Sequence, residues 1–266
     1  MSFTVIIPAR LKSTRLPNKP LADLCGVPMI VRVARQALKS GASRVICAVD
    51  DESILQCCQK FGVQAVLTRK DHACGTDRIC EAAEKSGIPD NEIIVNVQGD
   101  EPLIPPNIIS AAADLLVNDA QSVMGTAAIR IKSSEEFFNP NVVKLILDKN
   151  NRAIYFSRAP IPWARDEFAK KQEVLPQDLG LRHVGIYSYR CGFLKSYPTL
   201  PKSPLEAFES LEQLRAIWND YKIAVSVFND EIPPGVDTAE DLERVRAFCA
   251  AKEFNSRHRL LLTQVS

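Results

Sequence analysis

Residues 6–20 read IIPARLKSTRLPNKP, and this stretch decides the fold class. It continues an apolar N-terminal run, Thr4-Val5-Ile6-Ile7, which reads as a buried strand over 4–7. Pro8 ends the run, because proline has no N–H to give to a sheet ladder. The loop that follows carries Arg10, Lys12, Arg15 and Lys19, four cations with no acid among them. A buried strand that empties into a small, basic, turn-rich loop is how α/β proteins converge backbone N–H groups and cationic side chains on an anion. The loop therefore points to an enzyme that handles a nucleoside triphosphate.

Working outward, strand and helix patterns alternate. Residues 29–40 place Met29, Ile30, Val33, Ala34, Ala37 and Leu38 on one stripe, and Gly41 stands just past their end. Strands are expected over 44–49, 64–67, 93–98 and 123–131, and helices over 52–61, 76–86 and 106–118. Near-continuous apolar strands between amphipathic helices imply an α/β fold, a mainly parallel sheet covered by helices on both faces. Residues 142–147 and 153–156 flank Asp148-Lys149-Asn150-Asn151 and read as a hairpin. Residues 159–180 hold three prolines and many charges, so 132–180 is expected to leave the sheet as a smaller mixed lid or dimerisation element. A strand over 181–189, a helix over 205–220, a strand over 223–227 and a closing helix over 238–252 complete a single domain spanning 1–253. Thr238 and Asp241 form a capping-box pattern at the start of that last helix. The tail 254–266 has no clear period and is expected to be loosely held.

Composition narrows the function classes. The chain has 266 residues, 46% of them hydrophobic, which is enough for a full core. Its 33 basic and 32 acidic residues leave a net charge of +1, so no global field draws it to nucleic acid or to a membrane surface. The basic loop is therefore a local site. No apolar run approaches the length of a spanning helix, and Arg10 interrupts the first run too early for a signal peptide. The eight cysteines contain no C-x-x-C pair and several lie in apolar runs, as in Val45-Ile46-Cys47-Ala48-Val49. They read as reduced, mostly buried thiols of a cytoplasmic protein.

Two further motifs carry chemistry. Val97-Gln98-Gly99-Asp100-Glu101-Pro102 follows an apolar strand, at the strand end where open α/β sheets bind ligands. An acid there suits Mg²⁺, which prefers carboxylate and triphosphate oxygens, and Gly99 lets backbone approach a ligand. Pro233-Pro234-Gly235-Val236-Asp237-Thr238 places Asp237 just before a helix N-cap, and beside Asp100 it becomes a second candidate metal ligand. Read alone, each motif also fits a plain structural role: a turn after a strand for the first, a helix entry with an acid favoured by the dipole for the second. No G-x-x-x-x-G-K-[ST], G-x-G-x-x-G or H-E-x-x-H is present, so the chain is no obvious P-loop protein, dinucleotide enzyme or zincin.

Taken together, IIPAR-x-x-STRLP-x-KP, VNVQGDEP, SRA-x-IPW, LRH-x-GIY-x-YR, SPLE with LEQLR, and GVDT-x-EDLERVR stand in the order and spacing of one family. The chain resembles the 3-deoxy-D-manno-octulosonate (Kdo) cytidylyltransferases, or CMP-Kdo synthetases, over residues 2 to about 248. The resemblance implies a mostly parallel, Rossmann-like nucleotidyltransferase sheet, in cytoplasmic homodimers that join CTP to Kdo with Mg²⁺, giving CMP-Kdo and pyrophosphate for lipopolysaccharide biosynthesis. Small-molecule substrates, no nucleic acid and no membrane insertion follow from it. It places the nucleotide on Ala9, Arg10, Ser13, Arg15, Lys19, Arg78 and Gln98, and the metal on Asp100 and Asp237. It places the sugar on Gln98, Arg158, His183, Tyr187, Glu212 and Gln213, and makes Lys19, Arg10, Asp100 and Asp237 the catalytic set. These residue types suit a sugar acid, which offers a carboxylate to a cation and hydroxyls to mixed donors and acceptors. From position alone, His183 reads as a hydrogen-bonded core histidine, and Glu212 and Gln213 as a solvated helix face; the resemblance reverses both readings. Two departures stand out: GTDR at 75–78 where relatives often have GTER, and Ile232-Pro233-Pro234-Gly235 where relatives can carry a Gly-rich loop. Rival readings are a CMP-sialic acid synthetase, a cytidylyltransferase acting on an alcohol phosphate, and a non-catalytic CTP-binding regulator. The motifs VQGDEP and LRH-x-GIY weigh against the first, the lack of a P-A-A-G-x-G loop against the second, and the intact Arg15, Lys19, Asp100 and Asp237 against the third.

Overall fold

The computed structural model describes residues 2–263 apart from Thr14, Ala73, 171–173, Asp230, Glu231 and Pro234, with side chains as far as Ala251. The chain divides into two compact units that interleave in sequence. The first comprises Val5–Ser86, Val97–Pro106 and the chain from Pro233 onward; the second is Met1–Thr4, Gly87–Asn96 and Asn107–Ile232. The architecture is α/β, a mostly parallel mixed sheet with helices on both faces.

In the first unit, most of β1 (Phe3–Ala9) is followed by a small antiparallel hairpin, β2 (Asp23–Leu24) with β3 (Val27–Pro28). Then come α1 (Met29–Leu38), β4 (Arg44–Val49), α2 (Glu52–Lys60), β5 (Ala65–Leu67) and α3 (Gly75–Lys85). The strand order is β1-β4-β5, and β5 runs parallel to β4 with Cys47 opposite Ala65. All seven residues of β1 are buried, which is why the run reads as continuously apolar. Gly41 and Gly62 take positive φ, +83° and +69°, just past the ends of α1 and α2, a backbone region that costs glycine nothing.

The second unit holds β6 (Ile93–Asn96), α4 (Pro106–Asn118), β7 (Ser122–Arg130), α5 (Ser134–Phe138), β8 (Lys144–Leu147) and β9 (Ala153–Ser157). It continues with α6 (Arg165–Phe168), β10 (Leu181–Arg190), α7 (Cys191–Ser196), α8 (Pro204–Glu209), α9 (Leu214–Trp218) and β11 (Lys222–Phe228). Its strand order is β11-β7-β10-β6. β11 is parallel to β7, whereas β10 is antiparallel to β7 and β6, and β8 with β9 forms the expected hairpin. The excursion after β7 has its own small core, in which Ile131, Phe137 and Phe168 are buried.

The last element, α10 (Ala239–Thr263), returns to the first unit. Its Leu242, Val245 and Cys249 pack with Leu24, Met29 and Val236. The helix expected to stop at 252 runs on, because nothing after Gly235 breaks it: residues 239–263 contain no proline or glycine. The helix expected over 205–220 is instead two helices, since Ser210 turns left-handed at φ 52° and closes α8. Glu212 and Gln213 therefore sit in the connection between α8 and α9, not on a solvated helix face. The strand expected to reach Gln98 ends at Asn96.

Candidate active site

The basic loop is built by its prolines and by one buried acid. The strand expected to break at Pro8 runs on through it to Ala9; beyond it Pro17 precedes, and Pro20 lies within, a single 3₁₀ turn, Lys19–Leu21, into which Asn18 leads at φ 55°. Asp50, at the end of β4, accepts the Leu11 N–H at 2.9 Å and ties the loop to the sheet. The loop borders a cleft of about 460 Å³ in the first unit, within the size range of nucleotide-sized pockets. Ala9, Arg10, Ser13, Arg15, Lys19, Gln98, Asp100 and Asp237 all line it, together with Lys12, Gly75 and Gly99.

The cleft has one electrostatic hub. Lys19 Nζ lies 2.7 Å from Asp100 Oδ2, 3.1 Å from Asp237 Oδ1 and 2.9 Å from the Val236 carbonyl. Burial disfavours the ammonium, but Asp100 and then Asp237 more than offset it, so the Lys19 pKa stands above its ordinary value. Arg15 Nη2 adds a second contact to Asp237 at 3.2 Å. Two details bring the acids to this cation. Asp241 accepts the N–H groups of Asp237 and Thr238, each at 3.0 Å, while Thr238 Oγ1 accepts the Asp241 N–H at 3.2 Å. That is the capping box read from the sequence, and it fixes Asp237 at the head of α10. The Val236 N–H then donates to the Asp100 carbonyl at 2.8 Å, joining the two acidic segments directly.

Gly99 is a steric requirement of the floor. A Cβ there would stand 2.7 Å from the Pro8 carbonyl oxygen, closer than real contacts allow. Arg78, expected at the nucleotide, is not on the cleft wall. It is fully buried, donates from Nη1 to Thr68 Oγ1 at 2.6 Å and to the Arg69 carbonyl at 3.1 Å, and stands 3.7 Å from Asp50. Desolvation lowers its pKa. In this structure it braces the chain that leads to Gly75. Pro234, in the segment noted for lacking a Gly-rich loop, lies outside the described residues.

Apart from Gln98, which lines the cleft of the first unit, the expected sugar residues fall in the second unit. His183 and Tyr187 stand on β10, their ring centroids 5.3 Å apart despite a register shift between Val184 and Tyr187. Thr126 donates its hydroxyl to the Ile186 carbonyl at 2.7 Å, so the same oxygen accepts from His183 Nε2 at 3.0 Å. This pattern assigns the Nε2–H tautomer and leaves Nδ1 as an acceptor. Desolvation pushes the His183 pKa down to about 4 and raises that of Tyr187 well above its ordinary value. Both are neutral hydrogen-bonding groups at physiological pH.

Arg158 is anchored firmly. Its Nε donates to the Glu209 carbonyl at 2.7 Å, its N–H to the Glu209 carboxylate at 2.9 Å and its Nη1 to the Pro140 carbonyl at 3.1 Å. The buried Lys144 donates to the Arg158 carbonyl at 2.7 Å. Glu212 and Gln213 are held in their turn by Tyr197, whose hydroxyl donates to the Glu212 carbonyl at 2.7 Å. Arg215 stacks over the Tyr197 ring and pairs with Glu206 from Nε at 3.0 Å. Sequence reasoning passed over Asp50 and Asn96. The readable signal was a polar residue within or ending an apolar strand, as in Ile93-Ile94-Val95-Asn96.

Among the described residues, no helix is long and apolar enough to cross a membrane. A model of the cytidylyltransferase family matches residues 4–223. The 3-deoxy-manno-octulosonate cytidylyltransferase of Methylibium petroleiphilum is 55% identical over 250 residues, covering 93% of this chain and 95% of the relative. That of Herminiimonas arsenicoxydans is 57% identical over 249 residues, covering 93% and 99%. A solved structure of CMP:2-keto-3-deoxy-manno-octonic acid synthetase complexed with CTP matches with a TM-score of 0.86 at 39% identity, covering 95% of this chain and 100% of that one. A cytidylyltransferase from Leptospira borgpetersenii shares the fold, with a TM-score of 0.56 at 18% identity over 92% of this chain and 85% of that one. With a basic loop, a paired-acid cleft and this degree of likeness along nearly its whole length, the chain belongs to the 3-deoxy-manno-octulosonate cytidylyltransferase family.

Proposed function

We propose that the protein transfers the cytidylyl group of CTP to Kdo, releasing pyrophosphate and giving CMP-Kdo for lipopolysaccharide biosynthesis. The observation that carries this reading is the cleft of the first unit, where four cations of one loop stand with Asp100 and Asp237. The anomeric 2-hydroxyl of Kdo attacks the α-phosphorus, a P–O bond to the sugar forms, and the bond to the pyrophosphate oxygen breaks. Such transfer depends on positioning and charge neutralisation more than on a covalent partner.

Arg10, Lys12, Arg15 and Lys19 bind the triphosphate, and backbone at Ala9 with Gly99 lets the ligand lie close to the main chain. Lys19 and Arg10 stabilise charge growing on the leaving pyrophosphate. Ser13 and Gln98 supply neutral hydrogen bonds. Arg158 takes the sugar carboxylate, and His183, Tyr187, Glu212 and Gln213 take its hydroxyls.

The two acids fit a divalent cation. Their oxygens already converge on a single positive atom, Lys19 Nζ, and an oxygen-only donor pair open to a phosphate cleft is the setting Mg²⁺ takes. Asp100 and Asp237 would hold it, and when bound it would neutralise α-phosphate charge and lower the pKa of the attacking hydroxyl. The protein works as a homodimer in the cytoplasm, as the family resemblance implies.

Pyrophosphate release from CTP with Mg²⁺, measured with Kdo, with sialic acid and with neither, tests the reading. Release only with Kdo supports it. Release with sialic acid alone keeps the nucleotide cleft and overturns the sugar assignment. CTP binding without release under any condition turns the protein into a regulator.

A further inference from the structure

Asn96 ends β6 with only 2% of its surface exposed, and its Oδ1 is buried without a hydrogen-bond partner among the described residues. Buried carboxamides are ordinarily satisfied, so an orphan acceptor in a core strand calls for a reason. Its position supplies one. In the antiparallel pairing of β6 with β10, Asn96 stands directly opposite Tyr187. Directly opposed residues project from the same face of a sheet, with Cβ atoms about 5 Å apart. Asn96 therefore shares the face of the Tyr187–His183 pair.

Gln213, 5% exposed and held in the α8–α9 turn, has an orphan of the opposite kind, a buried Nε2 with no partner among the described residues. A hydroxyl has a proton to give, so it can satisfy an unused buried acceptor such as Asn96 Oδ1. A carboxylate cannot satisfy Oδ1, because it has no proton to give. His183 and Tyr187 are neutral, so the surroundings also suit an uncharged group.

We infer that Asn96 is a further specificity-determining residue: its Oδ1 accepts a hydrogen bond from one hydroxyl of the sugar acid. This rests on the proposed Kdo reading. A site built to bond a hydroxyl rejects an analogue without it, because the protein group is then left buried and unpaired.

The test uses the full-length protein, Kdo and a set of Kdo analogues each lacking one hydroxyl. In the wild type, one deoxy analogue should lose about tenfold to hundredfold in kcat/KM relative to Kdo. In Asn96→Leu, Kdo itself should fall by a similar factor with KM for CTP unchanged, and the same analogue should lose nothing further. Asn96→Leu should also raise the Tm of the ligand-free protein by about 2–4 °C, since an unpaired buried carboxamide is gone. If the leucine does not fold, Asn96→Ala carries the same comparison of Kdo with its analogues.

Identical analogue-to-Kdo ratios in wild type and variant overturn the inference and leave the Kdo reading standing. So does a lowered Tm with normal use of Kdo, which marks a structural or water-bound amide. Failure of the wild type to release pyrophosphate with Kdo overturns the reading itself, and the inference with it.

Discussion

Replacing Lys19 with methionine should make the protein bind a divalent cation more tightly while nearly abolishing turnover. Lys19 Nζ is 2.7 Å from Asp100 Oδ2 and 3.1 Å from Asp237 Oδ1, so the two oxygens are at most ~6 Å apart. Two unit charges at that separation repel by about 3 kcal/mol at an effective dielectric constant near 20. Asp100 is 31% and Asp237 49% exposed, so solvent and salt cut the figure to about 1–1.5 kcal/mol. In the wild type the ammonium already cancels that repulsion, and a metal must displace it or share the carboxylates with it. In Lys19→Met no ammonium stands between the acids, though Arg15 still reaches Asp237, and a cation that bridges them recovers that term, roughly tenfold in affinity. The assay is a thermal-shift titration with Mg²⁺ without CTP, in which the half-point should move about tenfold lower in the variant. Turnover should fall about 10²–10³-fold, because the charge that stabilised the leaving pyrophosphate is gone. An Mg²⁺ half-point equal to or higher than the wild-type value would refute the reasoning: the ammonium and the metal would not share ligands.

Other perturbations separate the parts of the site. Asp100→Ala and Asp237→Ala should each lower kcat by at least about 10²-fold with modest change in CTP binding, and near-normal turnover in either would remove that acid from the metal site. Gly99→Ala should raise KM for CTP and lower Tm together, since the added Cβ meets the Pro8 carbonyl at 2.7 Å and the floor must shift; unchanged nucleotide kinetics would mean the floor does not touch the ligand. Burial would raise the Glu81 carboxyl, but Lys85, the Arg69 N–H and His72 overcome this and hold it at about 2, below its usual 4.5. A depressed carboxyl contributes stability above its unfolded pKa and loses it as pH falls toward the folded one, so wild-type Tm should drop more steeply than that of Glu81→Gln between pH 4.5 and 2. Parallel Tm curves would show that the cluster adds nothing. Arg158→Ala should raise KM for Kdo about 10²-fold and leave KM for CTP alone, with some loss of Tm because its ties to Glu209 and Pro140 go too. An effect confined to CTP would refute its placement.

How far such roles can be read without coordinates depends on how local their cause is. β1 and its basic loop are legible because the apolar run and the four cations lie within one short segment, although the strand runs on through Pro8 to Ala9. The same holds for the capping box at Thr238, whose two partners are three residues apart. The Lys19 hub is not legible in this way. Its two carboxylates lie 81 and 218 positions along the chain, and only the packing of α10 on Leu24 and Met29 brings Asp237 to the loop. Motif resemblance could name the three residues, but it could not show that one ammonium spans both acids before any ligand arrives.

The errors have physical causes of the same kind. Leu205 to Asp220 carries a helical pattern throughout, yet Ser210 turns left-handed and the side chains of Glu206 and Arg215 close across the break, so tertiary bonds override the local preference. The override matters for function, because it lifts Glu212 and Gln213 off a helix face and holds them in a turn. Asn96 was hidden for the opposite reason. It lies in so apolar a run that the strand pattern absorbs it, and its meaning shows only when its buried oxygen is found without a partner beside Tyr187. A polar residue that a strand can afford to bury unpaired is one whose partner arrives with the substrate. On that argument, the stability this core lacks at Asn96 is the discrimination it gains when a hydroxyl fills the gap.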